Sequence, residues 1–190
     1  MTRTVYVAGW GYVALCGVLL ARSPAARPLP PHAGGVPFRG GAAAWFAETK
    51  PFCNAVEVET RQQFRPAPAG VQGAGYSAAC FALGGKIERA RETIDRLPAS
   101  DRPPAAGIVF AVGHPVADAG DDASAGPIMR LVVEYQPGNY MALYHAGMSE
   151  YILGDADLAR DHLERFLEIY RQNDGWRANA GTVLARLGAR

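Results

Sequence analysis

Two groups of side chains in this sequence have the types and spacing to do chemistry. The first is His114 with Asp118, Asp121 and Asp122. A histidine four residues before an aspartate shares its helix face, and imidazole with carboxylate is a donor set for a divalent metal. The same aspartates also read as a turn followed by a helix start, with His114 facing a groove or a kink. That second reading is the one adopted, so no metal ligand is assigned. His145 and His162 are expected on exposed helix positions, with no ligand spacing between them. No glycine-rich phosphate loop follows a strand, and no Ser/His/Asp or paired-carboxylate arrangement emerges from the spacing. The sequence therefore predicts no catalytic residue and no cofactor. An enzyme or metal-binding reading rests on His114 and its aspartates alone.

The second group is Cys53 and Cys80. The turn Pro66, Ala67, Pro68 lies about midway between them along the chain. In an antiparallel helix pair, equal distances from the turn set two residues at one height, so these two can touch. In an oxidising compartment that predicts a disulfide; otherwise they are two small buried residues at a tight helix crossing.

Holding either group in place takes a core. With 190 residues, 49% of them hydrophobic, the chain is long enough for one domain with a real interior. Lys and Arg number 19 against 18 Asp and Glu, so no basic excess exists to attract a phosphate backbone, and nucleic acid is excluded as a partner. The 22 glycines and 14 prolines are unevenly spread, gathering at residues 24–41 and 98–127.

Residues 1–21 differ from the rest. Positions 4–21 carry no charge, with Arg3 before and Arg22 and Arg27 after. As a helix that stretch spans about 27 Å, enough for a bilayer core. A single-pass anchor fits the length best, with membrane contact through residues 4–21. A cleaved signal peptide is the next reading, although Pro24 spoils the cleavage site, and a buried globular helix is the last. A lipid anchor at Cys16 is disfavoured by Leu15. Charge bias alone keeps the large domain cytoplasmic, whereas the position of the segment suggests a signal-anchor and an extracytoplasmic domain, the orientation adopted. Residues 22–43, rich in Pro and Gly, read as a linker, with His32 solvated in it. Residues 44–190 form the helical domain.

The most regular stretch of that domain is YHAGMSEYILGDADLARDHLERFLEIY, residues 144–170. It reads as two amphipathic helices hinged at Leu153, Gly154 and Asp155. Ala159, Leu163, Phe166 and Leu167 form an apolar face at helical spacing. Asp155 and Asp157 favour the positive end of the second helix, while Arg160–Glu164 and Asp161–Arg165 are i,i+4 pairs on its outer face. Small Gly147 and Ala159 let the two helices approach closely.

The hairpin resembles the tetratricopeptide repeat, whose pattern is W-x2-L-G-x2-Y, then A-x3-F, then P. Leu143, Ala146 and Gly147 stand at the first three positions, and Ala159 and Leu163 at the A-x3-F pair. Glu150 replaces the tyrosine, with Tyr151 one place later. The register repeats at 34–35 residues: Ala159 maps to Ala125 and Ala90, Gly147 to Gly113, Leu163 to Met129, and Phe166 to Val132. Pro137 falls at the repeat's terminal proline. Residues 71–104 and 140–173 are the best copies. Residues 174–187, around Trp176 and Gly181, read as a capping helix. Residues 51–64 read as one helix of a degraded first repeat, behind a helix carrying Trp45 and Phe46. In the middle copy, Pro115 predicts a kink or break near Gly113, and Ser124 is expected to cap the next helix with Pro127 in its first turn.

The resemblance implies an all-α fold, a short α-solenoid of such hairpins after a transmembrane or signal helix. It also implies a concave groove lined by first-helix residues: Phe110, His114, Met141, Tyr144, Met148 and Tyr151, extending toward Ile152. These are apolar and aromatic, unlike the Lys, Arg and Asn of the family's carboxylate clamp, so the groove suits an apolar peptide or amphipathic helix unless Trp45 and Phe46 fill it. The expected function is a membrane-tethered, non-catalytic scaffold for a protein or peptide partner. The alternative is an accessory subunit of a membrane complex, its N-terminal helix packing through Tyr6, Ala8, Gly9, Gly11 and Ala14.

Overall fold

The computed structural model describes residues 38–189. The anchor expected at residues 1–21 and the linker up to residue 37 lie outside the described residues. Within them the protein is all-helical. Its helices are α1 (Ala42–Thr49), α2 (Val58–Phe64), α3 (Val71–Leu83), α4 (Ile87–Asp95), α5 (Arg102–Asp118), α6 (Asp122–Tyr135), α7 (Tyr140–Leu153), α8 (Ala156–Ile169) and α9 (Gly175–Gly188), with 3-10 turns at Lys50–Phe52 and Ala99–Asp101. Among the described residues no helix is long and apolar enough to cross a membrane.

Helix α8 shows why these segments are helical. Ala159, His162, Leu163 and Phe166 recur at three- and four-residue spacing and are all buried. Asp155 caps the helix, its carboxylate accepting from the Leu158 amide at 3.3 Å. Asp161 and Arg165 pair at 3.1 Å on the outer face. The Arg160–Glu164 pair does not form; Arg160 instead sits 3.5 Å from Asp157 and donates to the Leu187 carbonyl of α9 at 3.2 Å. Exposed pairs are worth only about 0–1 kcal/mol, so a carbonyl on a neighbouring helix easily redirects the arginine.

The helices pack in a connected series: α1 on α3, α3 on α4 and α5, α5 on α6, α6 on α7, α7 on α8, and α9 on α8. The α7–α8 crossing is close because Gly147 has no side chain. A Cβ there would meet Leu163 Cγ at 2.7 Å and the Ala159 carbonyl at 3.3 Å. Gly113 plays the same part between α5 and α6, where a Cβ would lie 2.6 Å from Ile128 Cγ2. The turns after α3, α5 and α7 contain Gly85, Gly120 and Gly154 at φ of 70°, 76° and 90°, a left-handed conformation that favours glycine.

Three local expectations are corrected. Helix α5 runs unbroken through Gly113 and Pro115. Pro115 lies in its last turn, and the carbonyl that loses its amide partner belongs to exposed Ala111, where water can take the bond. The α6 cap is Asp121, accepting from the Ser124 amide at 3.2 Å, which puts Pro127 in the second turn rather than the first. Residues 51–64 are not one helix: a 3-10 turn and a loop, in which the Asn54 side chain accepts from the amides of Val56 and Glu57, precede α2.

Candidate functional site

Helix α9 folds back over the first-helix surface. The Trp176 ring lies 4.6 Å from that of Tyr144. Asn179 Nδ2 donates to the Tyr144 hydroxyl at 2.7 Å and lies 3.8 Å from Met148 Sδ. Tyr144 and Met148 therefore meet the protein's own C-terminal helix. The N-terminal helix does not fill this place. Trp45 is buried against other residues, donating from Nε1 to the Arg65 carbonyl at 2.9 Å, and Phe46 stacks on Tyr76 of α3 at 4.9 Å. Of the remaining expected groove residues, Phe110 stacks on His114 at 5.0 Å and Met141 is half-buried. Tyr151 lines a hollow of about 260 Å³ with Ile152, Gly154, Ala156 and Leu187.

Beside this aromatic layer, His114 and Asp118 of α5 meet His145 of α7. The two imidazole rings stand edge to face at 4.8 Å. Asp118 reaches both: Oδ2 is 3.6 Å from His114 Nδ1, and Oδ1 is 3.8 Å from His145 Nε2. Neither distance is a hydrogen bond. His114 Nε2 and His145 Nε2 are both buried without a hydrogen-bond partner. Each such orphan costs about 1–3 kcal/mol, which makes this the least self-satisfied polar cluster in the described part of the fold. Burial, and next the neighbouring His114 ring, push the His145 pKa below its ordinary value, against the opposing pull of Asp118 and Asp122. The other two aspartates of the motif are engaged elsewhere: Asp121 caps α6, and Asp122 accepts from Ser149 Oγ at 2.8 Å.

His145 is 8% exposed, contrary to its expected surface position. A signal for this exists in the sequence, since Glu150 is the only charged residue in the 14 residues of α7. A helix so poor in charge is buried on most sides, and a histidine within it faces protein. His162 is also buried, not exposed, with Nδ1 2.7 Å from Glu150 Oε2. Arg130 Nε of α6 lies 3.8 Å from Glu150 Oε1. Glu150, standing where the repeat pattern has tyrosine, thus faces Arg130 of α6 and His162 of α8. Removing Glu150 would leave the buried His162 nitrogen without its partner, at a cost of about 1–3 kcal/mol.

Cys53 and Cys80 have Cα atoms 4.8 Å apart and are joined by a disulfide. Cys53 sits just after the 3-10 turn rather than within a helix, so the contact arises from the loop at residues 53–57 folding onto α3. A cleft of about 660 Å³ lies near this end, away from the expected groove residues. Gln62, Ser77, Phe81, Arg89 and Arg96 are among the residues that line it. Comparison with family models, characterised proteins and solved structures finds no significant match for the chain.

Proposed function

We propose that this chain is a short tetratricopeptide-like solenoid that holds a protein or peptide partner, tethered to a membrane through residues 4–21, without catalysis. One observation carries the repeat reading: equivalent positions have equivalent environments. Gly85, Gly120 and Gly154 all turn with positive φ. Ala90, Ala125 and Ala159 are all fully buried in the second helices, as are Ile94, Met129 and Leu163 one turn later. Units stacked on neighbours in this way bury a continuous core and leave a first-helix surface for a partner. Because α9 covers Tyr144 and Met148, the partner surface centres on Phe110 and Tyr151 instead. The Cys53–Cys80 pairing supports an extracytoplasmic domain, where disulfides persist.

The test is capture from gently solubilised membranes. Phe110→Ala with Tyr151→Ala should abolish capture of the partner held by the wild-type chain, while deletion of residues 1–21 should leave it intact. Capture unchanged by the double substitution defeats the groove reading. A second reading, an accessory subunit of a membrane complex, draws support from the apolar surface around Phe52 and Val56, the latter 85% exposed. Capture that requires residues 1–21 would favour it.

A further inference from the structure

We propose that His114, Asp118 and His145 bind one divalent transition-metal ion of the zinc type, clamped between α5 and α7. His114 and Asp118 stand one turn apart on α5, and His145 approaches from α7, which packs against it. One nitrogen from each ring and one carboxylate oxygen lie within 4.8 Å of one another. Ligands about 2.0–2.2 Å from a tetrahedral ion stand about 3.3 Å apart. The separations of 3.6 and 3.8 Å from the two Asp118 oxygens to the rings exceed this by a few tenths of an ångström, and the widest donor separation, up to 4.8 Å, by about 1.5 Å, so binding draws the ligands together by side-chain rotation.

A second, independent observation points to a ligand. His145 is 8% exposed, and its Nε2, turned toward Asp118, has no hydrogen-bond partner. An ion between the three groups would satisfy that nitrogen. The donor set selects the ion, because two imidazoles and a carboxylate suit zinc and its neighbours, whereas magnesium and calcium prefer all-oxygen shells. Cys53 and Cys80 offer no thiolate, being bonded to each other. The Asp118 side chain is 55% exposed, so the ion's remaining coordination position opens to water or to a donor from outside the chain. This inference stands independently of the scaffold reading.

The test uses the 190-residue chain, stripped with a chelator and titrated with cobalt(II), whose visible absorption reports coordination. One equivalent of cobalt should bind, be displaced one for one by zinc, and resist a large excess of magnesium. Asp118→Asn, at a partly exposed position that leaves the fold intact, should weaken cobalt binding by more than about tenfold, the loss typical even of an outer-shell partner. Its metal-free melting temperature should match that of the wild-type chain. Asp157→Asn, on the exposed start of α8, should bind as the wild type does. Zinc should raise the melting temperature of the wild-type chain and not that of Asp118→Asn. Absence of a bound equivalent, unchanged binding by Asp118→Asn, or a thiolate-to-cobalt band pointing to Cys16 would each overturn the proposal.

Discussion

The two ends of the helical domain are held together by different means. At the N-terminal end, α3 buries mainly small residues: Gly73, Gly75, Ser77, Ala78, Ala79, Cys80 and Ala82. Such a helix approaches its neighbours closely; a Cβ on Gly75 would lie 2.7 Å from Ile108 Cδ1. It removes little apolar area from water per residue, so other ties matter more. They are the Cys53–Cys80 bond, the buried Trp45 of α1, and Gln62, whose Nε2 donates to the Ser77 carbonyl at 3.1 Å. The C-terminal end is aromatic. Tyr144 lies 5.2 Å from Phe166 and 4.6 Å from Trp176, and Phe166 stacks on Tyr170 at 5.0 Å. Each such pair adds about 0.5–1.5 kcal/mol beyond area burial. One helical register can thus be secured chiefly by a covalent staple across small residues, with the single Phe46–Tyr76 stack beside it, or by interlocked rings.

The largest expected effect falls on the aromatic end. Phe166 is fully buried, and Phe166→Ala should cost about 3–5 kcal/mol in chemical denaturation. Hydrogen exchange should speed up in α7–α9 before it does so in α3. A loss of about 3.5 kcal/mol, toward the low end of that range, should follow reduction of the disulfide, whose cysteines are 27 apart in sequence. Here exchange should rise first in α1–α3, the reverse order. If both perturbations loosen the same helices first, the two ends are one cooperative unit and the contrast between them fails.

The smallest effect is a pH response confined to the α9 cap. Asp174 accepts from the amides of Trp176 and Arg177 at 3.1 and 3.2 Å. The Tyr170 hydroxyl, the largest cause, and then these amides hold its pKa below the ordinary carboxylate value. Its stabilisation is therefore present above about pH 4, the unfolded value, and lost as pH falls through the lower folded one. The same contact pushes the Tyr170 phenol up to about 12, so its share is present below about pH 10 and lost as pH climbs toward that value. Melting temperatures of Asp174→Asn should fall less than those of the wild-type chain between pH 5 and 3.

Much of the helical pattern was legible because it is local. The turn at Gly154, the apolar face of α8 and the close approach at Gly147 follow from spacings of three and four residues and from one missing side chain. Pro115 misled for an equally local reason. Its cost depends on whether the carbonyl one turn earlier can reach water, and that depends on which way the helix faces. The candidate metal cluster was half legible: His114 and Asp118 share a face of any helix spanning residues 114–118, whereas Asp121 and Asp122 were drawn away by a cap and by Ser149.

By itself, then, the sequence determined most of the helical periodicity and the turn at Gly154, and it brought Cys53 near Cys80, but it misplaced the α6 cap and the start of α2. Only the tertiary structure decided which faces meet. It turned α9 over Tyr144 and Met148, left Trp45 and Phe46 on α3, and buried His145 beside His114 and Asp118. Those contacts join helices that are not consecutive in the chain. Their geometry depends on how successive crossings accumulate, and no spacing within a single helix encodes it.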